Sequence, residues 1–209
     1  MGYRAVGSRC ALDFDELTSE AREHAHEMLV SLGFVKVDAD PVDLARSRVG
    51  HSRFVKRVFP ARAPHEVNCS SFMKWVFGRC GIWLPCLAVQ QREMGQMVAP
   101  EEMAAGDLIF VTARFNLYQD DPRDGLGHVG IVTGQRTVIH AKGATSGVVE
   151  EKVERFLAPT RFRGLRRLVA PGHRVVTYEI PDSAFVETSD DIKWIIIMNL
   201  GRLQASLGK

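Results

Sequence analysis

Two short apolar runs on either side of a tight turn constrain the fold of this chain more than any other feature. Residues 127–132 and 137–141 flank a Gly-Gln-Arg sequence at 134–136, which is typical of a β-hairpin turn. Side chains alternate between the two faces of a strand, so an odd-numbered turn pairs position 128 with 140 or 142. Both imidazoles would then project from one face, opposite or diagonal and about 7 Å apart or less. An even-numbered turn would place them on opposite faces.

A cysteine stands at the start of a predicted helix upstream of this hairpin. Asn68 is a good N-cap residue, and Phe72, Trp75 and Val76 follow it at helical spacing. The macrodipole and the unpaired N–H groups of the first turn stabilise a thiolate there, and the thiolate is the nucleophilic form. Cys69 is therefore a candidate nucleophile. The alternative is a small apolar residue at a helix start, because free cysteine is commonly buried.

Cys69, His128 and His140 follow one another in the chain order that a thiol hydrolase could use as nucleophile, base and orienting group. Either histidine alone could be a strand-end residue that bonds to backbone. The ordered set favours a catalytic site. Activity should then fall at acid pH, as the imidazoles gain charge.

Five blocks of the sequence resemble the NlpC-type cell-wall cysteine peptidases, a papain-like family. The family pattern is an Asp-Cys-Ser-Gly-aliphatic helix start, a Gly-Ile-x-Leu-Pro turn, a Gly-Asp-Leu strand, a His-Val-Gly-Ile strand and an Ile-His-Ala strand. The resemblance covers roughly residues 41–168. The corresponding blocks here are Asn68-Cys69-Ser70-Ser71-Phe72, Gly81-Ile82-Trp83-Leu84-Pro85, Gly106-Asp107-Leu108-Ile109, His128-Val129-Gly130-Ile131 and Ile139-His140-Ala141.

The resemblance implies a cysteine peptidase that hydrolyses amide bonds in peptidoglycan stem peptides. Cys69 would be the nucleophile, His128 the base and His140 the orienting group. The expected partner is a peptide or peptidoglycan fragment, and the chemistry requires neither a metal nor a cofactor. The residues expected to contact the substrate are Asn68, Ser70, Ser71 and Gly127.

Two positions depart from the family pattern. Asn68 replaces the usual Asp, so a neutral amide supplies no anion for a substrate ammonium group. Ser71 replaces the usual Gly and adds a hydroxyl beside the nucleophile. The Cys69 N–H is a natural oxyanion donor, but the family's tyrosine shortly before the nucleophile is missing. Ser52 or His65 could supply the second donor.

The predicted fold is α+β and papain-like, with N-terminal helices, including the nucleophile helix, packed on a central antiparallel β-sheet. We predict an N-terminal helical extension over residues 1–40, a catalytic domain over 41–170, and a C-terminal strand–helix extension over 171–209 packed on the same domain. Residues 87–97 are predicted to form another short helix. The helix expected from Asp190 is apolar on more than one side and could form a dimer contact.

Composition adds weaker constraints. A chain of 209 residues with 45% hydrophobic content can bury a substantial core in one domain. A net charge of +2 does not indicate nucleic-acid binding and would suit an anionic wall polymer. The apolar run at 195–198 is too short to span a bilayer, and the N-terminus lacks an apolar signal core. We therefore expect a cytoplasmic chain, or an exported protein whose signal has been removed.

Other candidate sites are weaker. His24 and His26 lie two apart on a predicted helix and point away from each other, so a solvated face is favoured over a metal site. Loop 116–127 leads into His128 and is either an ordinary surface loop or a substrate-facing lid. Its acidic residues lack the calcium-loop pattern. A Cys80–Cys86 disulfide is disfavoured. The strand predicted over 162–169 is rich in arginine, and these arginines form either a basic edge of the sheet or a contact to an acidic substrate: Arg161, Arg163, Arg166 and Arg167.

Two other functions stay open. One is a related thiol amidase or acyltransferase that acts on an amide outside the cell wall. The other is a catalytically silent peptide-binding domain, in which the cleft persists without turnover. The intact set of Cys69, His128 and His140 argues against the silent domain.

Overall fold

Within residues 2–113, 125–170 and 175–207, which a computed structural model describes, the chain forms eleven strands and six α-helices. In chain order they are β1 (Arg9–Asp13), α1 (Ser19–Ser31), β2 (Val35–Val37), α2 (Pro41–Arg46), β3 (Arg53–Phe54), β4 (Glu66–Val67), α3 (Cys69–Arg79), α4 (Ala88–Gln91), β5 (Gln96–Val98), β6 (Leu108–Thr112), β7 (Leu126–Val132), β8 (Thr137–Gly143), β9 (Gly147–Lys152), α5 (Glu154–Leu157), β10 (Phe162–Arg167), β11 (Val175–Glu179) and α6 (Ser189–Leu207).

These elements fall into two compact units. The first comprises Met1–Ala39, Gly78–Trp83 and Pro171–Lys209, and the second comprises Asp40–Phe77 and Leu84–Ala170. The first unit holds an antiparallel sheet in the order β1-β11-β2. The second holds a six-stranded antiparallel sheet, β5-β10-β6-β7-β8-β9, and a short parallel pair, β3-β4.

The first unit has its own core around β11. Tyr178 is fully buried there, and its hydroxyl lies 2.9 Å from Nδ1 of His26. The helical extension predicted for residues 1–40 therefore also contains two strands. No alternation signals β1, because its three central residues are all buried and read as a short apolar run. The three-part domain assignment remains a prediction.

The central sheet of the second unit forms around the predicted hairpin. Three residues separate Thr133 from Thr137, and the last of them, Arg136, takes the left-handed conformation with φ 56°. The N–H of Thr133 donates to the carbonyl of Thr137, and Ile131 pairs with Ile139. The turn is thus odd-numbered, as the geometry of the histidines requires.

The prediction of a mixed fold with an antiparallel sheet is confirmed. The helix predicted over 87–97 was too long, because α4 ends at Gln91 and Gln96–Val98 pairs with β10. On α6, Trp194 and Ile197 are more than half exposed. Across the described ranges, the helices lack the combination of length and apolar character needed to cross a bilayer.

Candidate active site

The nucleophile helix α3 begins with a reciprocal cap made by the two residues that depart from the family pattern. The N–H of Ser71 donates to Oδ1 of Asn68 at 2.9 Å, and the N–H of Asn68 donates to Oγ of Ser71 at 2.9 Å. Ser70 adds a hydroxyl donor to the same Oδ1 at 3.2 Å. This arrangement satisfies backbone donors that a helix start leaves unpaired. The two residues that depart from the family pattern, Asn68 and Ser71, are therefore partners in one helix cap.

The predicted cap at Asn68 is confirmed, whereas substrate contact by Asn68, Ser70, Ser71 and Gly127 stays a prediction. The amide nitrogen of Asn68 also donates to the carbonyl of Lys56 at 3.3 Å. Of the two oxyanion donors considered, Ser52 is buried and accepts from Nε of Arg48, while His65 is exposed. That role also stays a prediction for both.

Cys69 is half-buried and lies against the strand that carries His128. Its Sγ is 3.9 Å from the carbonyl oxygen of Gly127, and the backbone N–H of Val129 interacts with the sulfur from the other side of His128. The sulfur is thus held at the two peptide groups that flank the histidine. The structure brings the predicted nucleophile and the predicted base together.

His128 and His140 form a directly bonded pair. Nε2 of His128 lies 2.7 Å from Nδ1 of His140, and the two rings meet edge to face with centroids 4.9 Å apart. The pairing of Ile131 with Ile139 puts His140 across from position 130, diagonal to His128. Since Nε2 of His128 is used for His140, Nδ1 is the ring nitrogen that remains for the thiol.

Two glycines on β7 make room for this arrangement. A Cβ on Gly127 would lie 2.5 Å from Cβ of Ala113. A Cβ on Gly130 would lie 2.6 Å from Cγ1 of Val138 and 3.0 Å from Cβ of His140. Contacts this short force neighbouring groups to move. Gly130, the third residue of the His-Val-Gly-Ile block, therefore allows β7 to lie close to His140.

Replacing Gly130 with alanine should reduce kcat/KM by about tenfold or more, because an added methyl pushes β8 and His140 away from His128. The measurement is hydrolysis of the stem peptide that the family resemblance implies as substrate, with the unfolding midpoint recorded in parallel. Gly134→Ala is the matched control, since its Cβ would meet only Cβ of Ala105 at 3.9 Å. Equal activity in the two variants would contradict the packing argument.

Two neighbours of His140 were missed by sequence analysis. Phe156 packs edge to face on the imidazole with centroids 4.9 Å apart, and Glu151 Oε2 lies 3.0 Å from His140 Nε2. On β9, Val149 pairs with His140, so Glu151 is diagonal to it. A register for the second hairpin would have been needed to identify Glu151.

Gln91 was also missed. It is fully buried, and its Nε2 donates at 2.9 Å both to the carbonyl of Ser70 and to that of Pro85. Its Oε1 finds no hydrogen-bond partner among the described residues. The side chain thus fixes the first turn of α3, one residue beyond the nucleophile. A glutamine in a short amphipathic helix carries no sequence signal for this role.

The electrostatics favour a neutral thiol beside neutral imidazoles. Burial raises the pKa of the Cys69 thiol, and the backbone N–H groups of Val129 and α3 oppose that rise. Burial, followed by the charges of His140 and Arg161, lowers the pKa of His128 to about 3, while Glu151 acts to raise it. Burial also lowers the pKa of His140 against the opposing effect of Glu151. His128 is therefore in the form that can accept a proton.

Activity should persist at lower pH than an ordinary imidazole would allow. In the active state the Cys69–His128 pair holds one transferable proton, on the thiol. Activity is lost at acid pH, when His128 is protonated while the thiol keeps its own proton. Because the pKa of His128 is lowered, we expect kcat/KM to stay flat down to about pH 6 and to fall only below it. The loss of activity at acid pH that the sequence predicts is therefore expected at a lower pH than an ordinary imidazole would give.

A pH series of initial rates checks this, with circular dichroism at each pH as the control. The unfolded chain titrates its histidines near their ordinary pKa of about 6.5 and so binds more protons than the folded chain just below that pH. Stability is therefore lost as pH falls through this window, and unfolding must be separated from titration of the site. A rate that halves near pH 6.5 in fully folded protein would contradict the lowered pKa.

The remaining candidate sites have these outcomes. Among the described residues, no group of three or more His, Cys, Asp or Glu side chains is arranged to hold a metal ion. Arg167 pairs with buried Asp107, so it is committed to the sheet. The four cysteines are free thiols, and Cys86 is exposed. Loop 116–127, considered either an ordinary surface loop or a substrate-facing lid, falls largely outside the described residues, which resume at 125.

Comparison with known proteins agrees with this geometry. A model of the NlpC/P60 family matches residues 56–167, which is more than half of the chain and includes the cysteine and both histidines. A solved structure, NlpC2 from Trichomonas vaginalis, superposes with a TM-score of 0.51 at 22% identity, covering 63% of this chain and 48% of that one. This likeness confirms the predicted papain-like fold class.

Curated relatives match over a similar span. A protein of Corynebacterium glutamicum (strain R) named a probable endopeptidase is 25% identical over 146 residues, covering 66% of this chain and 62% of that protein. A gamma-DL-glutamyl hydrolase of Bacillus subtilis (strain 168) is 29% identical over 145 residues, covering 65% of this chain and 32% of that protein. This chain therefore spans less than two thirds of the length of either relative.

Proposed function

The chain belongs to the NlpC/P60 family, and from this premise we propose that it is a cysteine peptidase that hydrolyses amide bonds in peptidoglycan stem peptides. In this proposal Cys69 is the nucleophile, His128 the general base and His140 the group that orients it. The observation that carries it is the position of the Cys69 sulfur, 3.9 Å from the carbonyl oxygen next to His128, together with the 2.7 Å bond between the histidines.

The proposed reaction begins with transfer of the thiol proton to Nδ1 of His128. The sulfur attacks the carbonyl carbon of the substrate amide, and the charge that develops on the carbonyl oxygen is stabilised by the backbone N–H of Cys69 at the start of α3. The imidazolium of His128 then gives its proton to the leaving amine. Water, activated by the neutral imidazole, hydrolyses the thioester and restores the thiol.

His140 supports both proton transfers in this scheme. Its bond to Nε2 fixes the orientation of the His128 ring, which would otherwise rotate about its side chain. Phe156 restrains the His140 ring from its edge-to-face position. A base held in this way avoids the loss of rate that a misplaced ring would cause.

An amide outside the cell wall is the second candidate substrate. The similarity to a protein named gamma-DL-glutamyl hydrolase favours it specifically, and the proposed thiol chemistry serves both substrates equally. The Asn68 amide is neutral, and its hydrogen bonds go to the helix cap and to the carbonyl of Lys56. It therefore offers no charge that would select one of the two substrates. Substrate choice therefore needs a direct assay.

The test is digestion of purified peptidoglycan and of defined stem peptides, with products identified by mass spectrometry. A γ-linked glutamyl peptide serves as the competing substrate, and Cys69→Ala is the inactive control. We expect new amine and carboxyl termini within stem peptides for the wild-type protein only. Cleavage of the γ-linked peptide alone would transfer the proposal to the second candidate.

The reactivity of the Cys69 thiol tests whether the chain is instead a silent peptide-binding domain. Alkylation of Cys69 by iodoacetamide at neutral pH should be faster in wild type than in His128→Gln, because His128 takes the thiol proton as the sulfur attacks, whereas exposed Cys86 should react alike in both proteins. Peptide mapping by mass spectrometry separates the two rates in one sample. A Cys69 rate that is the same in wild type and His128→Gln, with no cleavage of any substrate, would favour the silent domain.

A further inference from the structure

Glu151 lies at the far end of a continuous hydrogen-bonded chain from the nucleophile. Its Oε2 is 3.0 Å from Nε2 of His140, whose Nδ1 is 2.7 Å from Nε2 of His128. The Glu151 side chain is only 16% exposed, and Oε1 is bonded by Lys142 at 2.9 Å and by Arg155 at 2.6 Å. Two cations on one oxygen thus leave the other oxygen directed at His140.

These contacts keep Glu151 ionised. Desolvation acts to raise its pKa, but the hydrogen bonds from Lys142 and His140 outweigh that effect, and the pKa is lowered. An ionised carboxylate can only accept hydrogen bonds. The proton in the contact with His140 must therefore sit on Nε2 of the imidazole.

The proton on Nε2 of His140 determines which nitrogen of each histidine is protonated. A neutral imidazole carries a single N–H, so a proton on Nε2 of His140 leaves its Nδ1 as an acceptor. The 2.7 Å contact then requires the N–H of His128 to be on Nε2. That leaves Nδ1 of His128 unprotonated, which is the nitrogen that the proposed mechanism needs as a base. A donor in place of Glu151 would reverse every bond and protonate Nδ1 of His128.

We propose that Glu151 is a positioning residue that sets the tautomers of both histidines, so that Nδ1 of His128 is the basic nitrogen facing Cys69. The inference rests on the proposed function for its catalytic meaning, but the tautomers themselves can be observed without turnover. The groups that act on the histidine pair from its surroundings are Glu151, Lys142, Arg155 on α5 and Arg161. Of these, Glu151 is the one that accepts a bond from an imidazole.

The decisive variant is Glu151→Gln. Lys142 and Arg155 should hold the amide oxygen of the new side chain, which turns its NH₂ group toward His140 and supplies a donor where wild type has an acceptor. Glu151→Asp keeps an acceptor and serves as the conservative rescue. Glu154→Gln is the matched control, because Glu154 lies three residues on and bonds exposed Arg136 instead.

The primary readout is two-dimensional ¹⁵N NMR of histidine-labelled protein near pH 7.5, which identifies the protonated nitrogen of each ring. We expect Nε2–H on His128 in wild type, Glu151→Asp and Glu154→Gln, and a shift toward Nδ1–H in Glu151→Gln. On a cleaved stem peptide, Glu151→Gln should lower kcat by about a hundredfold with little change in KM, because a protonated Nδ1 cannot act as the general base. Glu154→Gln should match wild type.

The outcomes separate cleanly. An unchanged His128 tautomer in Glu151→Gln overturns the proposal, even if kcat falls, because the residue would then be only structural. A Nδ1–H tautomer in wild type overturns it as well. If wild type cleaves no stem peptide but the tautomers shift as expected, the proposed substrate fails while the role of Glu151 stands.

Discussion

His128→Gln is expected to lower kcat/KM for stem-peptide hydrolysis on the order of a thousandfold. Glutamine places a donor near the position of Nε2, so the bond to Nδ1 of His140 can survive, but no nitrogen remains to accept the thiol proton. Loss of a general base typically costs between about 10² and 10⁴ in rate. Since burial raises the pKa of Cys69, little thiolate would form without this base. Initial rates with a defined stem peptide measure the loss.

Alkylation by iodoacetamide gives the independent check on the same variant. In His128→Gln, the pH at which Cys69 reacts at half its maximal rate should move upward, because the thiol must ionise alone in a half-buried site. His140→Asn is the matched comparison. Its Oδ1 stands near the position of Nδ1 and can still accept from His128, so we expect a much smaller loss than in His128→Gln. Equal losses in both variants would contradict the assignment of His128 as the base.

The parts of the site that the sequence predicted are those that depend on local geometry. The turn at 134–136 was predicted from sequence, and the two-residue period of strands places His128 and His140 on one face if that turn is odd-numbered, as the observed register shows it to be. The cap at Asn68 likewise depends on residues no more than three positions away. Such features can be derived without knowledge of the rest of the chain.

What could not be predicted depends on long-range pairing. The contact between Glu151 and His140 requires the register of the β8–β9 hairpin, which shifts between Ala141 and Gly143 and so disturbs the alternation of faces. Strand β1 pairs with β11, far apart in the chain, with Cys10 opposite Tyr178. Pattern alone does not indicate which distant strand a buried apolar run will join.

The second large effect expected is on stability, at the ion pair between Asp107 and Arg167. Asp107 is 1% exposed and its oxygens accept from Nε and Nη2 of Arg167, both at 2.7 Å. Oδ2 of Asp107 also accepts from the N–H of Ala104 at 2.8 Å. Removing one partner of a buried pair leaves the other charge without compensation.

Asp107→Asn should therefore lower the free energy of unfolding by about 3 kcal/mol, the lower end of the range for buried pairs, since Arg167 keeps some contact with water. Urea denaturation followed by fluorescence measures the change. Arg136→Met, which removes an exposed ion pair with Glu154, should cause no measurable loss. An unchanged urea midpoint for Asp107→Asn would show that the pair contributes little.

The same variants decide between the two roles considered for the basic strand. Arg167→Met should destabilise the protein as Asp107→Asn does, and the double variant should lose less than the sum of the two, because the second change removes a charge already left unpaired. If Arg167 only holds β10 to the start of β6, KM for a stem peptide stays unchanged in folded Arg167→Met. A raised KM with an unaltered urea midpoint would instead assign the guanidinium to an acidic substrate group. The bidentate contact with a buried carboxylate favours the structural role.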